Sequence, residues 1–143
     1  GGADAGSNMI KISQVPLSQS ARDVIPVGKA IALDASSKAT VIQSASFEVV
    51  DGFSSGNTTI ELAPAAPVPA RVDNSAGKVT LSGEASAADY DKLIQSIKLR
   101  VGADVPANAV FRIRITLTDQ SGKTESKTVT LQLNKPEEVS RNP

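Results

Sequence analysis

The sequence predicts an all-β sandwich carrying one short capped helix near residues 86–96. Three observations lead there. First, short runs that alternate apolar and polar residues recur between turn signals, the mark of half-buried strands. The clearest run sets Phe111, Ile113, Ile115 and Leu117 on one side and Arg112, Arg114, Thr116 and Thr118 on the other. Second, only the stretch after Ser86 shows helical spacing. Third, aromatic residues make up 3% of the 143 positions, so Val, Ile, Leu and Ala must build the core. A chain of this length is one domain by default.

In chain order, residues 1–8 (GGADAGSN) are small and polar and read as a linker or a cloning scar, and the expected domain runs over 9–135. Met9 to Ile12 alternates weakly and is the first strand expected. Pro16 and Pro26 make the segment from Ser13 to Val27 an extended edge or an irregular entry, because proline cannot donate to a ladder. Gly28 and Lys29 turn the chain into a short strand, Ala30–Leu33. The run Ala39–Val50 places Val41, Ala45, Phe47 and Val49 at one parity, with Gln43 interrupting the pattern. Asp51-Gly52 ends it, and Phe53 to Asn57 is a loop. Thr58, Ile60 and Leu62 then share a strand face.

Pro64, Pro67 and Pro69 stiffen the following connector into a polyproline-like segment. Ala70–Asp73 and Lys78–Leu81 flank Asn74-Ser75-Ala76-Gly77, a hairpin loop with Gly77 free to take a positive φ. Ser86 is a good N-cap, and Asp89 three residues on completes a capping-box-like pair. Tyr90, Leu93, Ile94 and Ile97 then follow the spacing of one helical face. So short a helix is unstable alone and must dock that face on a sheet. Ile97, Leu99 and Val101 resume strand parity, and Pro106 marks a loop. The strand Val110–Thr118 turns at Asp119-Gln120-Ser121-Gly122 and returns as Thr124–Leu133, with Val129, Leu131 and Leu133 facing inward. Pro136 stops it, and 136–143 read as a linker or tail.

Composition removes several function classes. Fifteen basic and fifteen acidic residues cancel, which argues against a nucleic-acid or anionic-membrane partner. With no Cys and no His, disulfides, thiolate chemistry, zinc sites and His-dependent triads are excluded. No apolar run of about 20 residues exists, so no membrane-inserting helix is expected. Carboxylate pairs such as Asp89 with Asp91 or Glu137 with Glu138 have no predicted cleft around them, so the chain is expected not to be an enzyme. The absence of Trp and the single Tyr weaken a sugar-stacking site.

The stretch Lys78–Ile97, with LSG, ASAADY and LIQSI in succession, resembles a signature of cadherin-like repeats in very large bacterial surface adhesins. Phe111–Gly122 matches the Arg-containing strand ending in Thr-Asp and a Gly turn. Leu33–Phe53 is similar to the family's Asp-rich turn, strand and Gly-Phe. The resemblance implies an immunoglobulin/cadherin-like sandwich, one unit of a tandem array, extracellular or at the cell surface. It implies a non-catalytic structural or adhesive role, with neighbouring domains of the same chain as first partners. It also implies calcium held by Asp-rich turns, with Asp34 and Asp119 as candidate ligands here. The pattern is incomplete: Ser36 stands where a second Asp is expected, and Asn134-Lys135-Pro136 replaces an acidic linker. Calcium takes six to eight oxygens.

Each candidate has a plainer reading. Asp34 and Asp119 can cap their own turns. Arg112 and Arg114 form a basic stripe that fits an anionic sugar or a protein carboxylate, or is a solvated face whose cross-hairpin neighbours are Glu125 or Lys-rich positions. Phe53, in a Gly/Ser loop, is the aromatic expected to be exposed for a protein or glycan partner. Asn57-Thr58-Thr59 is a glycosylation sequon that matters only in a eukaryotic secretory context.

Overall fold

The computed structural model describes residues 10–16, 24–35, 40–63, 68–106 and 108–132. The expected linker at 1–8, the tail at 136–143, most of the proline connector, Ser36 and Leu133 lie outside them. Among the described residues ten strands run in order: β1 (Ile10–Gln14), β2 (Val24–Ile25), β3 (Ile31–Ala35), β4 (Val41–Asp51), β5 (Thr58–Glu61), β6 (Ala70–Asp73), β7 (Lys78–Ser86), β8 (Lys98–Val101), β9 (Val110–Asp119) and β10 (Thr124–Gln132). The helix α1 (Ala87–Gln95) sits between β7 and β8, and a 3-10 turn over Val27–Ala30 leads into β3. The fold is all-β and sandwich-like, as the alternation predicts. No helix among the described residues is long and apolar enough to cross a membrane.

The main layer is a five-stranded antiparallel sheet in the order β10-β9-β4-β7-β6. Facing it are a three-stranded sheet, β2-β8-β5, and a two-stranded sheet, β1-β3, with α1 between β7 and β8 in the chain. Inward residues of every layer join one apolar cluster, including Phe47, Leu81, Tyr90, Leu99, Phe111 and Ile115, all fully buried. Burying each such side chain contributes on the order of 1.5–3 kcal/mol.

Gln43, which breaks the alternation in the sequence, is a β-bulge. Thr118 opposes Ser44 while Asp119 opposes Ile42, so Gln43 is the extra residue. The bulge flips parity, and Ile42 is buried in place of Val41. A second bulge at Val50 lies between the pairs Ile113–Val49 and Arg112–Asp51, and leaves Val50 39% exposed. A third lies in β7, where Gly83 takes φ +104°.

The helix forms where its cap predicts. Ser86 Oγ accepts from the Asp89 N–H at 3.1 Å, and Ala87, Tyr90, Leu93 and Ile94 are its buried face. Ile97 is likewise buried just beyond it. The Tyr90 hydroxyl donates to the Gly83 carbonyl at 2.7 Å, which joins the helix to the bulge in β7. Gly28 packs against the other end of α1. Its N–H donates to the Ile97 carbonyl at 2.9 Å, and a Cβ there would run into the Ile94 carbonyl. The first described strand begins at Ile10 and extends to Gln14, two residues beyond the predicted end. The strand expected at Ala30–Leu33 is shifted to Ile31–Ala35, because Ala30 closes the 3-10 turn.

Candidate binding surface

The outward face of the five-stranded sheet holds Arg112 and Arg114, both exposed. Antiparallel register decides their neighbours. Arg112 lies between Thr130 of β10 and Asp51 of β4, and Arg114 lies between Thr128 and Glu48. Thr116 continues the row between Ser126 and Ser46, and its Oγ1 lies 3.0 Å from Ser126 Oγ. The face is therefore rich in hydroxyls, with two guanidiniums set beside the carboxylates of Asp51 and Glu48. Neither forms an ion pair among the described residues. The cross-hairpin partner expected from sequence, Glu125, is ruled out by register. It opposes Leu117, whose side chain is buried, so Glu125 belongs to the opposite face.

Phe53 is not the exposed platform that its loop predicts. It is half-buried and packs against the core. Its ring covers Gly77, where φ is +68° and a Cβ would lie 2.7 Å from the ring. The Gly77 carbonyl in turn accepts from the Val49 N–H at 2.8 Å. The hairpin glycine and the loop aromatic thus form one packing unit.

Asp119 is 4% exposed at the end of β9. Its Oδ1 accepts from the Ser121 N–H at 2.9 Å, the Ser121 hydroxyl at 2.7 Å and the Lys123 N–H at 3.0 Å. Burial raises the carboxyl's pKa, but the bonds from Ser121 and Lys123 together outweigh it and hold the group below its ordinary value. This is the turn-capping geometry. Asp34 is exposed on β3 opposite Lys11, on a different sheet from Asp119. Among the described residues no group of three or more Asp or Glu side chains is placed to hold a metal ion.

Two features are not legible in the sequence. One is an open cleft of about 580 Å³ lined by Lys29, Lys92, Lys98, Glu61, Leu62 and Gln95. Its residues come from the 3-10 turn, the C-terminal half of α1, the end of β5 and the start of β8, so no local motif announces it. Beside it Glu61 takes two bonds from Arg100, at 2.7 and 3.3 Å, which lower the Glu61 pKa. Lys92 sits near the negative end of the helix dipole, a placement that needs no ligand to account for it.

The other feature is a clasp between the first and last described strands. The Gln14 side-chain amide donates to the Thr130 carbonyl at 2.9 Å and accepts from the Thr130 N–H at 3.2 Å. One side chain thus satisfies both edge-facing backbone groups of a residue 116 positions away.

No protein-family profile matches the chain. No curated protein and no solved structure matches it either.

Proposed function

We propose that the chain is a non-catalytic structural and adhesive module of a larger extracellular or cell-surface protein, a cadherin-like unit of the immunoglobulin-like sandwich type that spaces or presents neighbouring domains. The observation that carries this reading is the Gln14–Thr130 clasp. A spacer must pass load from one end to the other without unravelling. Here the first described strand is tied to the last by a double hydrogen bond laid over the edge of the main sheet.

Single-molecule stretching between the chain's ends tests the role. The folded unit should open in one cooperative step, and Gln14→Ala should lower the force of that step. Gradual low-force extension, or an unchanged force in the variant, would overturn the load-bearing reading.

The Arg112–Arg114 face favours a second role within the same module, contact with an anionic glycan or a carboxylate-bearing protein. A glycan array probed with the wild type and with an Arg112→Ala/Arg114→Ala variant should show acidic glycans lost on substitution. An array without hits removes the glycan form of this reading.

Calcium binding at Asp34 and Asp119 is tested by thermal unfolding in excess calcium and in chelator. A folded-state ligand at a hundredfold excess over its dissociation constant adds about 2.7 kcal/mol. The midpoint should stay fixed, since Asp119 Oδ1 already accepts three donors. A large upward shift would restore the calcium-stiffened repeat.

A further inference from the structure

We propose that β10 pairs edge to edge with β10 of a second copy of this chain, about a two-fold axis at Ser126. The two main sheets then form one continuous sheet. Among the described residues strand β10 is an edge of the main sheet, with β1 packed beside it at the Gln14–Thr130 clasp. The Thr130 N–H and C=O point away from β9, because both are held by the Gln14 amide. The β9–β10 register runs from Thr118–Thr124 to Val110–Gln132 without a shift. In an unbroken antiparallel ladder this direction alternates. Thr128, Ser126 and Thr124 therefore also turn their N–H and C=O groups outward, and no clasp covers those three positions among the described residues.

The side chains say which partner fits. Glu125 and Lys127 are both exposed and share one face, since they oppose Leu117 and Ile115. With the axis at Ser126, Ser126 meets its own copy and Thr124 meets Thr128. Glu125 then stands directly opposite Lys127 of the second copy, and Lys127 opposite its Glu125. These are non-hydrogen-bonded positions, where side chains approach most closely. The segment Thr124-Glu125-Ser126-Lys127-Thr128 is thus self-complementary in hydrogen bonding, size and charge. A two-fold interface requires this of a single patch.

Registers centred on Glu125 or Lys127 would put like charges in contact, so the same pair also selects the register. Edge charges ordinarily discourage sheet-to-sheet pairing. A Glu and a Lys two positions apart repel in the two neighbouring registers and attract in the one centred on Ser126. The clasp marks the end of the interface. Thr130 would fall opposite Gly122, which lies in the turn before β10 and outside any strand.

A ladder of five residues a side is small beside the roughly 20–30 residues a side of a stable interface. Pairing is therefore weak and concentration-dependent. Sedimentation of the whole chain over a concentration series into the millimolar range tests it. The wild type should shift from monomer to dimer, less so at high salt. Glu125→Lys alone and Lys127→Glu alone should each weaken dimerisation by about tenfold. An equimolar mixture of the two variants should dimerise again, because the two lysines of the first variant then face the two glutamates of the second. Ser126→Pro removes an outward N–H that the β9 ladder does not use, and should also abolish the dimer with the fold intact by circular dichroism. A wild type that stays monomeric throughout overturns the proposal. So do single variants that dimerise as the wild type does, or a mixture that fails to recover. Sequestration of the edge by an unrelated extended peptide with no self-association overturns it as well.

Discussion

Asp119 illustrates what a single side chain decides in this molecule. Its one oxygen holds Ser121 and Lys123 in the turn that leads into β10. Asp119→Ala strands those donors, and denaturant unfolding should show a loss of about 1–3 kcal/mol. Asp119→Asn keeps an acceptor and should cost less. The pH dependence follows from the direction of the shift. A carboxyl whose folded-state pKa is lowered contributes stability that is present above its ordinary value of 3.8 and is lost as pH falls through the folded value. Asp119→Asn should therefore flatten the acid limb of the stability curve below about pH 4. An acid limb identical to wild type would mean that the turn does not depend on the charge. The Asp–Ser–Gly turn is readable from sequence, because the turn chemistry is local. Whether the carboxylate faces the turn or an ion is not, since that depends on the direction of one rotatable bond. Phe53 fails as an exposed platform for a related reason: Gly77, which its ring covers, is 24 positions away and carries no side chain to announce the contact.

At the scale of elements, the strands are legible wherever parity holds. Val110–Asp119 shows its burial pattern directly in its alternation. Parity misleads across a bulge, which is why alternation alone points Val41 inward where Ile42 takes the buried position. The Gln43 interruption is visible in the sequence, but only the paired strand shows that it inserts a residue and flips the face. The helix is legible because its signals are local: cap, spacing and length. Ser86→Ala removes the bond to the Asp89 N–H and should cost about 1 kcal/mol in thermal or denaturant unfolding. The seat of the helix on the 3-10 turn is not legible, because Gly28 is far from α1 in sequence. Its lack of a Cβ lets the two backbones meet. Gly28→Ala should cost more than Ser86→Ala, about 2–4 kcal/mol, since the added methyl meets a backbone carbonyl that cannot rotate away. Equal costs for the two variants would show that the turn can shift off the helix.

The described buried residues share one core, and Tyr90 reports on it. The chain has a single Tyr and no Trp, so tyrosinate absorbance reads one position. Tyr90 is fully buried and joins α1 to β7 through its hydroxyl on the Gly83 carbonyl. Burial pushes its pKa up from 10.0 to about 12. For a neutral acid this sets the sign. The folded state holds the phenol protonated, so its contribution is fully present below pH 10 and is lost as pH rises toward 12. Because the ring belongs to the same cluster as Phe47, Phe111 and Leu99, its ionisation cannot stay local. Water would have to reach a fully buried ring. Alkaline titration should therefore show tyrosinate absorbance and loss of the β circular dichroism signal rising together, above the pH at which a free tyrosine ionises. Tyr90→Phe keeps the packing and removes the titration. It should cost about 1 kcal/mol at neutral pH for the lost hydrogen bond. It should also extend the folded range on the alkaline side. Tyrosinate appearing near pH 10 with the circular dichroism unchanged would mean that α1 detaches from the sandwich before the sheets open, and that the core is two cooperative units rather than one.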